Sequence, residues 1–345
     1  MRIGVDAKCL QPPKAGVARY LEGVLGGLEA LDDPALSLEL VRPRRRRRTL
    51  PWVVWDLQRA SGSGIDVLHC PFYYPPFAPR CPTTVAIHDV LPLEHPEWFP
   101  RRWPETLRMM IPAGARRAAA IVTFSKATAE RIVELCRVPP VRVRVVPHGV
   151  DRRRFAPQTP DRAQAVLRAL ALERPFVLQL GAIEPRRGVD LALRAVASLR
   201  ARIGDLELVL AGPQRTPVPA LTTTPEWARR VEVVSDEDVP ALLSAAEAVV
   251  APSRGEGFDL PVLEALACGA PVVASDIDVH VEHFTGAAAF FPDGDAEALE
   301  AALMRVLADS EHARALRAAG PALASRFTWD ASARSHLEVW REVAR

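Results

Sequence analysis

Residues 251–275 read APSRGEGFDLPVLEALACGAPVVAS. An apolar, strand-like run ends at Ala251. A loop follows with Gly255, Glu256, Gly257 and Phe258, and Pro261 then stands in the first turn of a helix, where its missing N–H is not needed. Helical spacing holds to Ala267 and stops at Cys268-Gly269, glycine being suited to the left-handed position after a helix. A second apolar run starts at Pro271. Strand, glycine-bearing loop, helix and strand make one unit of a doubly wound α/β sheet. The N–H groups and dipole at the helix start favour an anion. Glu256 in the loop and Glu264 eight positions on stand on one side of that anion site, where both can accept hydrogen bonds from sugar or ribose hydroxyls.

The same alternation extends both ways. Upstream, strands are expected over 3–6, 66–69, 83–88, 119–124 and 141–146, with helices over 17–31 and 126–136, the latter capped by Ser125. After the Arg- and Pro-rich segment 151–160, read as a linker, strands are expected over 176–180, 206–211, 231–234, 248–251, 271–274 and 289–291. Helices are expected over 189–202, 239–246, 260–267 and 296–307. Strands alternating with helices in both halves argue for two parallel-sheet domains. In such sheets ligands sit beyond the carboxyl ends of the strands, so two domains facing each other would enclose a cleft.

Composition agrees. The chain has 345 residues, 49% of them hydrophobic and 25% charged, enough for two domains of ~150 residues. A net charge of +2 gives no field to recruit nucleic acid. No apolar stretch nears the ~18 residues of a membrane span, and Arg2, Asp6 and Lys8 break up any secretory leader, so a cytoplasmic protein is expected. The five cysteines are scattered without metal-site spacing. Three D-x-D triplets, at 236–238, 276–278 and 293–295, do not complete a hard-cation site, and no metal or other cofactor is expected. The run Arg44 to Arg48 reads as a solvated loop or a contact for a phosphorylated acceptor or an anionic membrane surface, and 98–110 as core, as acceptor lining or as a lipid contact.

A second segment, Gly181-Ala-Ile-Glu-Pro-Arg-Arg-Gly188, follows the strand ending at Leu180. Gly181 permits a turn close to a ligand, and Arg186 and Arg187 offer guanidinium forks suited to a diphosphate.

Together these segments resemble the signature of retaining glycosyltransferases of the GT-B fold, family 4. The family pattern is E-G-F-G-L-P-x-L-E-A-x-A-x-G-x-P-V. This chain supplies Glu256, Gly257, Phe258, Leu260, Pro261, Leu263, Glu264, Ala265, Ala267, Gly269, Pro271 and Val272. It departs at Asp259, whose carboxylate would repel a diphosphate and is expected to point away while its N–H serves. The segment 181–188 resembles the family's G-x-x-x-P-R-K-G, with Arg187 for Lys. Gly16-Val-Ala-Arg-Tyr20, the segment starting at His88-Asp89, Thr123-Phe-Ser125 and 146–151 are similar to further family segments, although His148 stands where Asn is common.

The resemblance implies a GT-B fold: an acceptor-side domain over 1–158, a nucleotide-sugar-binding domain over 159–328, and a last helix, 329–345, crossing back to the first. It implies transfer of a sugar from a nucleoside-diphosphate sugar to a hydroxyl of a glycan, lipid-linked or small-molecule acceptor, with retention. The similarity leans to mannosyltransferases and GDP-mannose. Arg186, Arg187, Gly181 and the N–H groups from Gly257 through Phe258 and Asp259 to Leu260 are expected at the diphosphate, with Gly16 approaching it from the other domain. Glu264 is expected at the ribose, Glu256 at the sugar hydroxyls and His88 at the reaction centre. The alternatives are a sugar-nucleotide epimerase of the same fold and a non-catalytic nucleotide-sugar-binding protein.

Overall fold

The computed structural model describes residues 1–12, 16–43, 49–99 and 103–345. The run Arg44 to Arg48 and part of the segment 98–110 therefore lie outside the described residues. The chain divides into two compact units, Met1–Gly149 with Phe327–Arg345, and Val150–Arg326. Segment 150–158 packs within the second unit: Phe155 is buried there, and Gln158 N donates to Ser244 Oγ at 3.1 Å.

The first unit holds one parallel sheet of β1 (Arg2–Asp6), β2 (Ser37–Val41), β3 (Val67–Cys70), β4 (Thr83–Ala86), β5 (Ala120–Thr123) and β6 (Val143–Val145), in the order β2-β1-β3-β4-β5-β6. The second holds β7 (Phe176–Leu180), β8 (Glu207–Ala211), β9 (Ala228–Val231), β10 (Ala248–Ala251), β11 (Val272–Ser275) and β12 (Ala288–Phe291), in the order β12-β11-β10-β7-β8-β9. Central strands such as β3, β5 and β10 are buried at every position, as parallel strands covered on both faces must be.

The helices Pro160–Ala169, Asp278–Phe284 and Ser310–Ala324 add to those expected from sequence, and three other differences have plain causes. The strand expected over 231–234 lies at β9, because the β-branched run after Val231 faces water; Val233 is 83% exposed. Strand β2 was not anticipated; it is an edge strand whose apolar residues, Leu38, Leu40 and Val41, are split by Glu39, and none of them is fully buried. The helix Trp103–Arg117 was also not anticipated, since Pro112 interrupts its pattern.

The closing helix, Trp329–Val343, belongs to the first unit and packs on the helix Gly16–Leu31. Glycine makes this approach possible: a Cβ on Gly23 would lie 2.2 Å from the Trp329 ring, and one on Gly27 2.5 Å from the Trp329 carbonyl. Among the described residues, no helix is long and apolar enough to cross a membrane.

Candidate active site

In the second unit, two loops at the carboxyl ends of neighbouring strands are fastened together. After β7 the chain turns at Gly181, at φ 122°, and Ile183 N bonds to the Pro213 carbonyl beyond β8 at 2.9 Å. A 3-10 turn, Pro185–Arg187, ends at Gly188 in the left-handed region. There a Cβ would sit 1.9 Å from the Pro252 carbonyl, so only glycine lets this turn lie against the loop after β10. Arg254 N donates to the Arg186 carbonyl at 2.9 Å, and Gln179 Nε2 to the Arg187 carbonyl at 2.7 Å.

This scaffold sets two arginines among three carboxyl groups. Arg186 Nη1 lies 2.9 Å from Glu256 Oε2 and donates to the Gly255 carbonyl at 3.0 Å, while its Nε reaches Glu184 at 3.0 Å. Arg187 Nη1 lies 3.0 Å from both Glu256 Oε1 and Asp259 Oδ1. The other Asp259 oxygen meets His280 Nε2 at 3.2 Å, and His280 Nδ1 faces the Ser275 carbonyl at 3.0 Å. Since a carbonyl only accepts, that bond places a proton on Nδ1. Burial works to raise the Asp259 carboxyl, but Arg187 and His280 outweigh it and hold the group well below the usual carboxylate range. Burial works to lower the Arg187 guanidinium, and the charges of Glu256 and Asp259 overcome it and raise it.

The structure thus brings Arg186, Arg187, Glu256 and Asp259 together. The Asp259 side chain does not turn away from the arginines, as expected, but onto Arg187. Asp259 adopts a left-handed backbone, φ 69°, and its carbonyl accepts from Val262 N and Leu263 N at 3.1 and 3.3 Å. With Pro261 lacking an N–H, the first turn of the helix Leu260–Ala267 is closed on itself, and N–H groups for an anion must come from the loop side, at Gly257 to Leu260. Glu264 is buried within that helix, 2% exposed. Gly181 lies close by: a Cβ there would stand 3.6 Å from Pro261 and 3.8 Å from Arg187.

Each D-x-D triplet has an aspartate with a structural partner. Asp238 pairs with Arg162, Asp276 accepts from Asp293 N, and Asp295 caps the helix Ala296–Ala308. Among the described residues, no group of three His, Cys, Asp or Glu side chains is placed to hold a metal ion.

In the first unit, His88 follows β4 and its Nε2 lies 3.0 Å from the Pro71 carbonyl. Nε2 therefore carries the proton, and Nδ1 keeps its lone pair. Burial lowers His88 to about 4, against the opposing bond to Pro71. Gly16 opens the first helix, and nothing among the described residues lies within 4 Å of a Cβ there. His148 stacks on Phe124 at 3.8 Å between centroids.

A network not anticipated from sequence lies alongside. Tyr20 Oη sits 3.0 Å from His69 Nε2 and 2.8 Å from His336 Nε2, and His69 Nδ1 sits 2.9 Å from Thr84 Oγ1. His336 Nδ1 donates to the Ser332 carbonyl at 2.7 Å, so its Nε2 accepts from the Tyr20 hydroxyl. Tyr20 then accepts from His69 Nε2–H, and Thr84 donates to His69 Nδ1. One signal was present: His69 interrupts an apolar strand, and His336 falls on the buried stripe of its helix.

Comparison with known proteins fits this arrangement. A family model described as Glycosyl transferases group 1 matches residues 165–322, and one described as Glycosyltransferase Family 4 matches residues 23–154. The chain belongs to glycosyltransferase family 4. It is 29% identical over 305 residues to O-antigen chain mannosyltransferase B of Escherichia coli, covering 85% of this chain and 76% of that one. It is 32% identical over 247 residues to D-inositol 3-phosphate glycosyltransferase of Salinispora tropica, covering 66% of this chain but only 51% of the relative. Sucrose-phosphate synthase from Thermosynechococcus elongatus superposes with a TM-score of 0.79 at 19% identity, over 99% of this chain and 98% of that one. Anabaena HepE in complex with UDP-glucose gives 0.77 at 16% identity, over 99% and 100%. At those identities the likeness is one of fold, and the fold of this family 4 member is GT-B.

Proposed function

We propose that this family 4 member transfers a sugar from a nucleoside-diphosphate sugar to an acceptor hydroxyl, with retention at the anomeric carbon and without a metal ion. The observation that carries the reading is the cluster of Arg186 and Arg187 at the carboxyl ends of β7 and β10, the place where open α/β sheets bind ligands. Cleavage of the donor leaves negative charge on a nucleoside diphosphate. Two fixed guanidiniums, with N–H groups at Gly257 to Leu260, stabilise that charge as a cation would. Glu256 is assigned to the donor's sugar hydroxyls and Glu264 to its ribose. His88 presents Nδ1 as a lone-pair acceptor for a substrate hydroxyl.

Mannose is the favoured sugar and GDP-mannose the favoured donor, supported by the mannosyltransferase among the relatives. The acceptor is assigned to the class of glycan or lipid-linked hydroxyls, and the protein to the cytoplasmic side, peripheral to the membrane when its acceptor is lipid-linked. Thermal stabilisation by UDP-, GDP-, dTDP- and ADP-sugars identifies the donor, since a ligand at 100 times its Kd adds ~2.7 kcal/mol. Nucleoside diphosphate released only when an acceptor is added is the expected result, and a chelator should leave it unchanged. Metal-reversible loss of transfer would overturn the metal-free mechanism.

A further inference from the structure

We propose that Glu256 is an exchangeable counter-ion. It holds Arg186 and Arg187 while no diphosphate is bound, yields them to the donor's diphosphate, turns to the donor's sugar hydroxyls, and returns to the arginines once the sugar has been transferred. The inference rests on reading the cluster as a nucleoside-diphosphate-sugar site.

Two guanidiniums face three carboxyl groups, Glu184, Glu256 and Asp259. The arginines are thus not waiting as free charge, and a diphosphate that takes them must displace a carboxylate. Asp259 is badly placed to leave. Its side chain is 1% exposed, both its oxygens are engaged, by Arg187 and His280, and its carbonyl closes the helix that follows. Glu184 meets Arg186 at Nε, a different nitrogen from the Nη1 that Glu256 occupies.

Glu256 alone of the three is paired with the Nη1 nitrogens of both arginines. Its hold is also imperfect. Oε1 is buried and has no hydrogen-bond partner among the described residues, although Arg187 Nη1 is only 3.0 Å away, so the pair is electrostatic without a well-aimed N–H. Arg187 Nε is likewise buried without a hydrogen-bond partner among the described residues. The group most weakly directed toward the arginines is the one that blocks their outer nitrogens.

Exchange favours substrate over product. An intact donor offers the displaced Glu256 new partners, the sugar hydroxyls. A nucleoside diphosphate alone offers none, so a displaced Glu256 would be left without compensation. After transfer, Glu256 competes for the arginines again and expels the nucleoside diphosphate.

Calorimetry on the full chain tests this with UDP, GDP, dTDP and ADP, and with the matching sugar donor, for wild type, Glu256→Gln and Glu256→Ala. The nucleoside diphosphate that wild type accepts should bind either variant on the order of ten-fold tighter, the factor a charge-assisted hydrogen bond commands. The intact donor should gain less or lose, so the donor-over-product preference shrinks. Unchanged or weaker nucleoside diphosphate binding in a folded variant would overturn the exchange and leave the site reading standing. Should neither variant fold, wild type still decides: a nucleoside diphosphate bound tighter than its sugar donor overturns the exchange. Wild type binding none of the four would overturn the site reading and the exchange with it.

Discussion

In the first unit Tyr20, His69 and His336 meet as hydrogen-bonded rings, each proton placed by a neighbouring acceptor; in the second Arg186, Arg187, Glu256 and Asp259 meet as ion pairs. Both clusters are deeply buried, yet burial acts on them in opposite ways. The histidines are pushed down, toward the neutral form, and carry no charge to compensate. Asp259 is held in its charged form because Arg187 and His280 stand against it. A buried group therefore becomes neutral or is paired, and each unit uses one of these solutions. The paired cluster suits an anionic ligand that exchanges partners. The neutral one suits groups that must keep one tautomer.

The comparison breaks hardest at Arg187. Arg187→Ala should leave Asp259 buried without its main counter-ion, a loss of ~3–5 kcal/mol. The second unit should then open at lower denaturant while the first is unmoved, and nucleoside diphosphate binding should vanish. Hydrogen exchange followed by peptide reads each unit separately. A loss under ~1 kcal/mol would show the cluster to be as weak as a surface pair.

Acid separates the two solutions next. Burial holds His336 down at about 4, against its bond to Ser332, from an ordinary 6.5. The unfolded chain therefore binds this proton more readily than the folded one, and stability falls as the pH drops from about 6.5 to about 4, by roughly 3 kcal/mol at the lower end. Asp259 behaves the other way: its contribution is intact above the ordinary value of 3.8 and is lost only as the pH falls below it, through the lower folded value. Between pH 6.5 and 4.5 the first unit should lose exchange protection and the second keep it. The reverse order would mean the histidine network is not the neutral lock described.

The two clusters also differ in how much of them could be read from sequence. Arg186, Arg187, Glu256 and Asp259 lie in two short loops punctuated by Gly181, Gly188, Gly255, Gly257 and Pro261, so their spacing carries the local geometry. Strand and helix alternation likewise made the fold legible, and the helix Lys126–Cys136 falls where its periodicity and cap put it. What the pattern could not convey was that Asp259 serves Arg187, because this depends on His280, which reaches it from the next helix, Asp278–Phe284. The network of Tyr20, His69, Thr84 and His336 was less legible still. Its members come from four elements, and only the topology of the sheet and the return of the closing helix bring them together.

The smallest expected effect is at the centre of that network. Tyr20→Phe keeps the ring that packs on Phe124 at 5.0 Å and removes only the hydroxyl between His69 and His336. The His69 Nε2–H then loses its acceptor and the His336 Nε2 lone pair loses its donor, both in a fully buried setting. Leaving such groups unpaired should cost ~1–3 kcal/mol, read as a shift in denaturant midpoint of the first unit. Because His336 lies on the closing helix, amides of Trp329–Val343 should lose exchange protection more than those of β5. Nucleoside diphosphate affinity should stay where it was, since none of the groups around Arg186 and Arg187 is touched. A variant that lost that affinity while keeping its midpoint would join what the comparison separates, and the neutral network would then belong to the donor site rather than to the frame of the first unit.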